Sequence, residues 1–357
     1  MRKKRVQWVD MLRITATWVV ISIHGKSCYD FDIGTRKWIE CNIMGFAFVF
    51  CVPIFLMLSG YLTLNKEITI KETVIGRVSR VVFMKIVSII LCIITGGIYF
   101  FIRGLSVRAG VINALSNWGY GTSYLAVLAG CYLCSPIIYR FLQEKRNEEY
   151  FLILSAIFGL IIPLFVDLDY IKDVVPSYII SIMNWMDYGE VFIPVGAMSL
   201  FVLGHYLGRI TENTSKLKAV MWLVVSFGIW ELVSIWQAAN LGSNNIISAL
   251  RYGRYYGSYV SPFIIVYSSA IFVFFKVVLG QVYFQGRLKK CIEQIGKNTV
   301  WIFLLHGIVI SIVRPYIPVF WTKSFLVETI VDVSLYFIIA YLISLVLEHI
   351  PILNKIR

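Results

Sequence analysis

A chain of 357 residues with 59% apolar and only 15% charged residues has a mean hydropathy of +0.77. That excludes a soluble domain, in which roughly a quarter of the residues are charged and roughly half are apolar. The net charge of +13 would suggest nucleic acid as the partner of a soluble protein. Here the basic residues fall between apolar runs, so the partner is the lipid bilayer and the charge sets orientation within it.

Apolar windows near the ~20-residue spanning length recur along the whole chain. They predict helices near 8–25, 42–64, 81–102, 122–140, 150–166, 191–208, 219–237, 258–279, 298–317 and 325–347. The expected fold is all-α, a polytopic transmembrane bundle of about ten spans. It forms one domain over residues 1–357 with no soluble domain.

The first window follows MRKKRVQW, which resembles the n-region of a signal peptide. Asp10 and Arg13 interrupt its apolar run and no small-x-small site follows His24, so it reads as a retained signal anchor. Arg13 and His24 are eleven residues apart, which returns a helix to nearly the same face, roughly 16 Å further along its axis. Asp10, three residues before Arg13, falls close to that stripe and within reach of it. Ionisable residues inside a span are expensive, and three on one stripe point to function.

In the second window, PIFLMLSGYL places Ser59 and Gly60 at a small, mildly polar point, the composition of close helix packing. Ahead of the third, KETVIGRVSRVV carries Arg77 and Arg80 on one face at the helix entrance. They orient the helix, and two guanidiniums one turn apart also suit a phosphate. Cys131-x-x-Cys134 lies inside the fourth window, where cysteine acts as a small hydrophobe, and no second pair completes a zinc site. The seven cysteines therefore imply neither a disulfide framework nor a metal site. Between the fifth and sixth windows, VVPSYIISIMNW is too short to span and reads as interfacial. In the ninth, IGKNTVWIFLLHGIVI holds a second intramembrane histidine, His306.

Alternate links contain about 21 Lys and Arg on one side against about 10 on the other. The richer side is the cytoplasm, and it receives both termini.

These residues resemble the acyltransferase-3 membrane proteins. Arg13-x10-His24 is similar to the family's first-helix signature, PIFLMLSGYL to its second-helix Ser-Gly stretch, and RVSRVV to its basic entry to the third helix. SYLAVLAGCYLCSPII, FVLGHYLGR and NTVWIFLLHG resemble its fourth-, sixth- and late-helix motifs. Gly121, Thr122 and Ser123 stand where members often carry His-Leu-Trp, a departure that bears on acceptor binding or acceptor class.

The resemblance implies transfer of an acyl group, acetyl in the simplest case, from acyl-CoA to an envelope glycan or lipid-linked sugar at a bacterial plasma membrane. It assigns His24 as general base, with His306 or Ser59 facing the developing oxyanion. Arg13, Arg77 and Arg80 guide the phosphates of the donor, and Asp10 supports Arg13. It implies no permanently bound cofactor. The alternative is transport of a small molecule such as serine, because the fold is also similar to the membrane part of vancomycin-resistance serine racemases. Trp38, Trp118, Tyr120, Trp185, Tyr188, Tyr252, Tyr255 and Tyr256 are placed to stack on sugar rings or to anchor in the interface.

Overall fold

The structure, a computed structural model, describes residues 5–25, 35–116, 123–161, 196–240, 261–317 and 324–351. These residues are helical throughout their regular elements, with no strand among them. The interfacial reading of 174–185, residues Gly121 and Thr122, and all the outward aromatics but Trp38 lie outside the described residues.

Each of the ten predicted windows contains a helix. We number them α1 (Gln7–Gly25), α2 (Arg36–Ala47), α3 (Cys51–Leu64), α4 (Ser79–Ile102), α5 (Val107–Ser116), α6 (Ser123–Phe141), α7 (Lys145–Ala156), α8 (Ala197–Ile210), α9 (Lys216–Asn240), α10 (Pro262–Val277), α11 (Gly286–Val313) and α12 (Phe325–Leu347). Among the described residues, five helical segments are long and apolar enough to cross a membrane: Glu72–Phe101, Tyr124–Phe141, Pro262–Gln281, Gly286–Tyr316 and Phe325–Leu347.

Three boundaries differ from expectation, each for a local reason. The window 42–64 is two helices, α2 and α3, separated by a turn at 48–50. Pro53 has no N–H for the carbonyl four residues back and its ring crowds that carbonyl, so α2 cannot run on into α3. Helix α4 is preceded by a π-helical stretch, Glu72–Val78, so Arg77 lies on a helix rather than in a link. Helix α11 begins at Gly286, twelve residues before the apolar window. Arg287, Lys289, Lys290 and Lys297 therefore occupy its first turns, where hydropathy alone reads a link.

The chain forms two compact units, interleaved in sequence: Met1–Lys26, Ile68–Pro136 and Phe284–Arg357 make the first, Ser27–Glu67 and Ile137–Tyr283 the second.

The first unit is centred on α1, α11 and α12. Its core contains Ile21, Ile302, Leu305, Val309, Val333 and Tyr336. Asp10 packs against Gly296, where an added Cβ would come within 2.8 Å of the carboxylate. At the other end of α1, His24 meets His306, so α1 and α11 run parallel. The Gln294 amide donates to the Glu348 carboxylate at 3.2 Å, so α12 returns antiparallel and ends level with the start of α1. The Gln7 side chain bonds Phe284 twice, donating to its carbonyl at 3.1 Å and accepting from its N–H at 3.0 Å. Those bonds pin the entry to α11.

The second unit is built on the contact between α3 and α8. Gly60 on α3 and Gly204 on α8 bring the two backbones together: a Cβ at Gly60 would lie 1.7 Å from the Phe201 carbonyl oxygen, and one at Gly204 2.0 Å from that of Met57. One turn on, a Cβ at Gly208 would meet the Tyr61 ring at 2.3 Å. Gly204-x-x-x-Gly208 is thus a small-residue seam of the kind that lets membrane helices approach closely. The packing expected at Ser59-Gly60 belongs to Gly60. Helix α7 is tied to α8 through Glu148, which is 0% exposed. His205 Nδ1 sits 2.7 Å from one carboxylate oxygen and an Arg209 nitrogen 2.5 Å from the other. A carboxylate removed from water is retained only when it is paired in this way.

One cysteine expectation is corrected. Cys41 is disulfide-bonded, although the spacing of the cysteines points to no framework. A single bridge depends on which chain segments the fold brings together, and spacing does not encode that. Neither Cys131, which is buried, nor Cys134, which is exposed, takes part in a disulfide.

Candidate functional site

Helix α1 carries the first three site residues, because its apolar run contains polar groups only at Asp10, Arg13 and His24 and at small hydroxyls. Asp10 is buried and held by Arg5 through two parallel bonds, Nε to Oδ2 at 2.9 Å and a terminal nitrogen to Oδ1 at 2.6 Å. This forked pairing is strong and geometrically specific, and it draws the Arg5 side chain to the foot of α1. Outside the span, it holds the Arg5 guanidinium above its ordinary pKa. The stripe geometry puts Asp10 within reach of Arg13; in the structure Arg5 takes the direct bonds, and Arg13 is influenced by Asp10 only across space.

Arg13 faces α6, within electrostatic reach of the Tyr132 and Tyr124 hydroxyls. Tyr132 also receives Arg77: the guanidinium carbon stands 5.6 Å from the ring centroid, inside the range of cation–π attraction. Arg80 is a further charged neighbour of Arg77 and is exposed. Two arginines from separate helices therefore converge on one tyrosine. Arg77 leaves the chain within the π-helical stretch, a local widening that often marks functional positions.

Further along α1, the His24 ring centroid lies 5.2 Å from that of His306, with the planes 43° apart. His24 is exposed at the end of its helix, while His306 is 4% exposed and buried behind it. His306 Nδ1 meets the carbonyl of Phe303. A carbonyl can only accept, so Nδ1 carries the proton and Nε2 of the neutral ring keeps its lone pair. Phe303 packs on His306 at 5.5 Å and on Tyr124 at 6.0 Å. An aromatic line therefore joins the arginine end of the site to the histidine pair.

The structure thus brings together His24 with His306, and Arg13 with Arg77 through Tyr132. Ser59 belongs to the second unit, where its hydroxyl donates to the Phe55 carbonyl at 2.7 Å within its own helix. Sequence reading missed Tyr132, Tyr124 and Phe303. The available signal was weak, tyrosines inside the apolar α6, because aromatic residues in spans usually mark interfaces.

Arginine and histidine on apolar helices, with a cationic end and an imidazole end, mark an integral membrane protein whose polar groups could meet an anionic group and a proton. A family profile described as an acyltransferase domain matches residues 6–349, nearly the whole chain. The protein belongs to the acyltransferase-3 family and is a membrane acyltransferase. No curated protein and no solved structure matches the chain.

Proposed function

We propose that this membrane acyltransferase carries an acyl group, acetyl in the simplest case, from cytoplasmic acyl-CoA to a hydroxyl of a cell-envelope glycan or lipid-linked sugar in a bacterial plasma membrane. The observation that carries the reading is the His24–His306 pair at 5.2 Å, with His24 on the same helix as Arg13 and roughly 16 Å from it. The end of the first unit holding Arg5, Asp10 and Glu348 is the cytoplasmic one, in keeping with the excess of basic residues.

In this reading the nucleotide phosphates rest near Arg13, Arg77 and Arg80, and the thioester reaches the histidines. His24 takes the proton from the acceptor hydroxyl as its oxygen bonds to the acyl carbon. The C–S bond then breaks, and the departing thiolate of coenzyme A receives a proton. His306, its Nδ1 proton committed to Phe303, accepts or relays a proton through Nε2. Oxyanion stabilisation would fall to His24 once it is protonated and cationic.

Sealed vesicles of known orientation test the arrangement. Acyl-CoA is supplied on the cytoplasmic face only, and acylation of a glycan confined to the other face is followed. Transfer across the bilayer is the expected result; transfer only when both substrates share a face rejects it.

The arginines should act on donor affinity. Arg77→Gln is expected to raise KM for acyl-CoA about tenfold while kcat changes less than threefold, the pattern of lost ground-state binding. Arg80→Gln should act in the same direction and more weakly, because its exposed charge is screened by salt. Steady-state kinetics at two salt concentrations check both.

A further inference from the structure

The second unit buries a group of polar atoms with no hydrogen-bond partner among the described residues. Trp38 Nε1, Asn42 Oδ1, both carboxylate oxygens of Glu231, Ser261 Oγ and Ser268 Oγ all lack a hydrogen-bond partner. Their residues are 5%, 1%, 8%, 0% and 0% exposed. They lie on α2 (Trp38, Asn42), on α9 (Glu231), and at the cap and in the body of α10 (Ser261, Ser268), with α9 packed against both of the other helices. Tyr267, next to Ser268, is within electrostatic reach of Glu231. Its hydroxyl donates to the Ala47 carbonyl at the end of α2, at 3.4 Å. Buried polar groups are almost always paired, and each exception calls for an absent partner. Six such atoms lie together on these three neighbouring helices.

The geometry points to a binding site for the sugar of the acceptor, built from Trp38, Asn42, Glu231, Ser261 and Ser268. This inference rests on the acyl-transfer reading above and assigns the acceptor half of it. The orphaned atoms are of both kinds: one amide oxygen that accepts, the Glu231 carboxyl and two hydroxyls that serve either way, and one indole N–H that donates. The Asn42 amide nitrogen is already committed to the Trp38 carbonyl at 2.6 Å, and its oxygen is left without a partner. A ligand with several hydroxyl groups, each able to donate, satisfies this set. A phosphate finds no cationic side chain among these groups, and a simple cation leaves the indole N–H unmet. Aromatic rings accompany the polar atoms, with Phe227 5.6 Å from Tyr267 and Trp230 stacked on Phe263 at 6.5 Å. Such rings suit the apolar faces of a sugar.

The test separates binding from structure by exploiting the unmet atoms. Glu231→Gln keeps the size of the side chain, and Asn42→Leu removes an unmet amide oxygen together with one bond to its own helix, so both should fold, and the thermal midpoint of the detergent-purified protein checks that they do. Both are expected to raise KM for an envelope glycan acceptor at least tenfold. KM for acyl-CoA, and acyl-CoA hydrolysis without acceptor, should stay within twofold of wild type. Chitobiose, a neutral disaccharide, should raise the midpoint of the wild type and not of either variant. Unchanged acceptor KM in both variants assigns these atoms to buried water and overturns the site. If the wild type transfers nothing from acyl-CoA, the donor reading fails on its own. The chitobiose measurement then decides the site, and the absence of a wild-type shift overturns it.

Discussion

His24→Ala is expected to abolish acyl transfer, by about 10²–10⁴-fold, the usual contribution of a positioned general base, with folding and membrane insertion unchanged. His24 stands at the exposed end of α1, so its truncation opens no large void in the core. Its ring is nonetheless 5.2 Å from His306, where a leucine would have carried no polar penalty. His306→Ala should show a comparable loss of kcat, together with some loss of stability because it is buried. The double variant is the sharper measurement. Groups that act as a unit are non-additive, so removing both histidines should cost little more than removing one. Near wild-type glycan acylation in His24→Ala, at equal expression, removes His24 from the mechanism. Strictly multiplicative losses in the double variant would make the pair two independent contributors.

The second large effect concerns the fold. Gly204→Ala is expected to destabilise the protein by about 3 kcal/mol or more, the upper range for overpacking. Gly204→Val should prevent accumulation of folded protein. A Cβ at Gly204 would lie 2.0 Å from the Met57 carbonyl oxygen, and the reciprocal contact at Gly60 is 1.7 Å. Backbone cannot swing aside as a side chain can, so α3 and α8 would have to separate along their length. Gly228, in the middle of α9, is the control: nothing lies within 4 Å of its added Cβ. Gly228→Ala should leave stability unchanged or raised, because alanine favours a helix by about 1 kcal/mol over glycine. Thermal unfolding in detergent compares the two. Equal midpoints for Gly204→Ala and Gly228→Ala would show that the α3–α8 seam tolerates separation.

Membrane embedding, the position of a helix in every predicted window, and the singling out of Asp10, Arg13, His24 and His306 were legible from sequence alone. Hydropathy, and the penalty for an ionisable group within it, are properties of a short stretch and need no partner to be read. The acyltransferase-3 resemblance followed from the order of such stretches, and the family match over residues 6–349 agrees with it. Other features were decided by tertiary structure. Asp10 pairs with Arg5 because the entry to α1 folds that guanidinium back onto the carboxylate. His24 meets His306 because helices from opposite ends of the chain run parallel, a relation no periodicity within either helix encodes. Gly60 and Gly204 read as ordinary small residues until the two backbones are seen to touch. The unmet polar atoms of Asn42, Glu231 and Ser268 become a group only when α2, α9 and α10 assemble. Local chemistry sets where a helix lies and which residues are out of place there, whereas contacts between distant helices decide what those residues face.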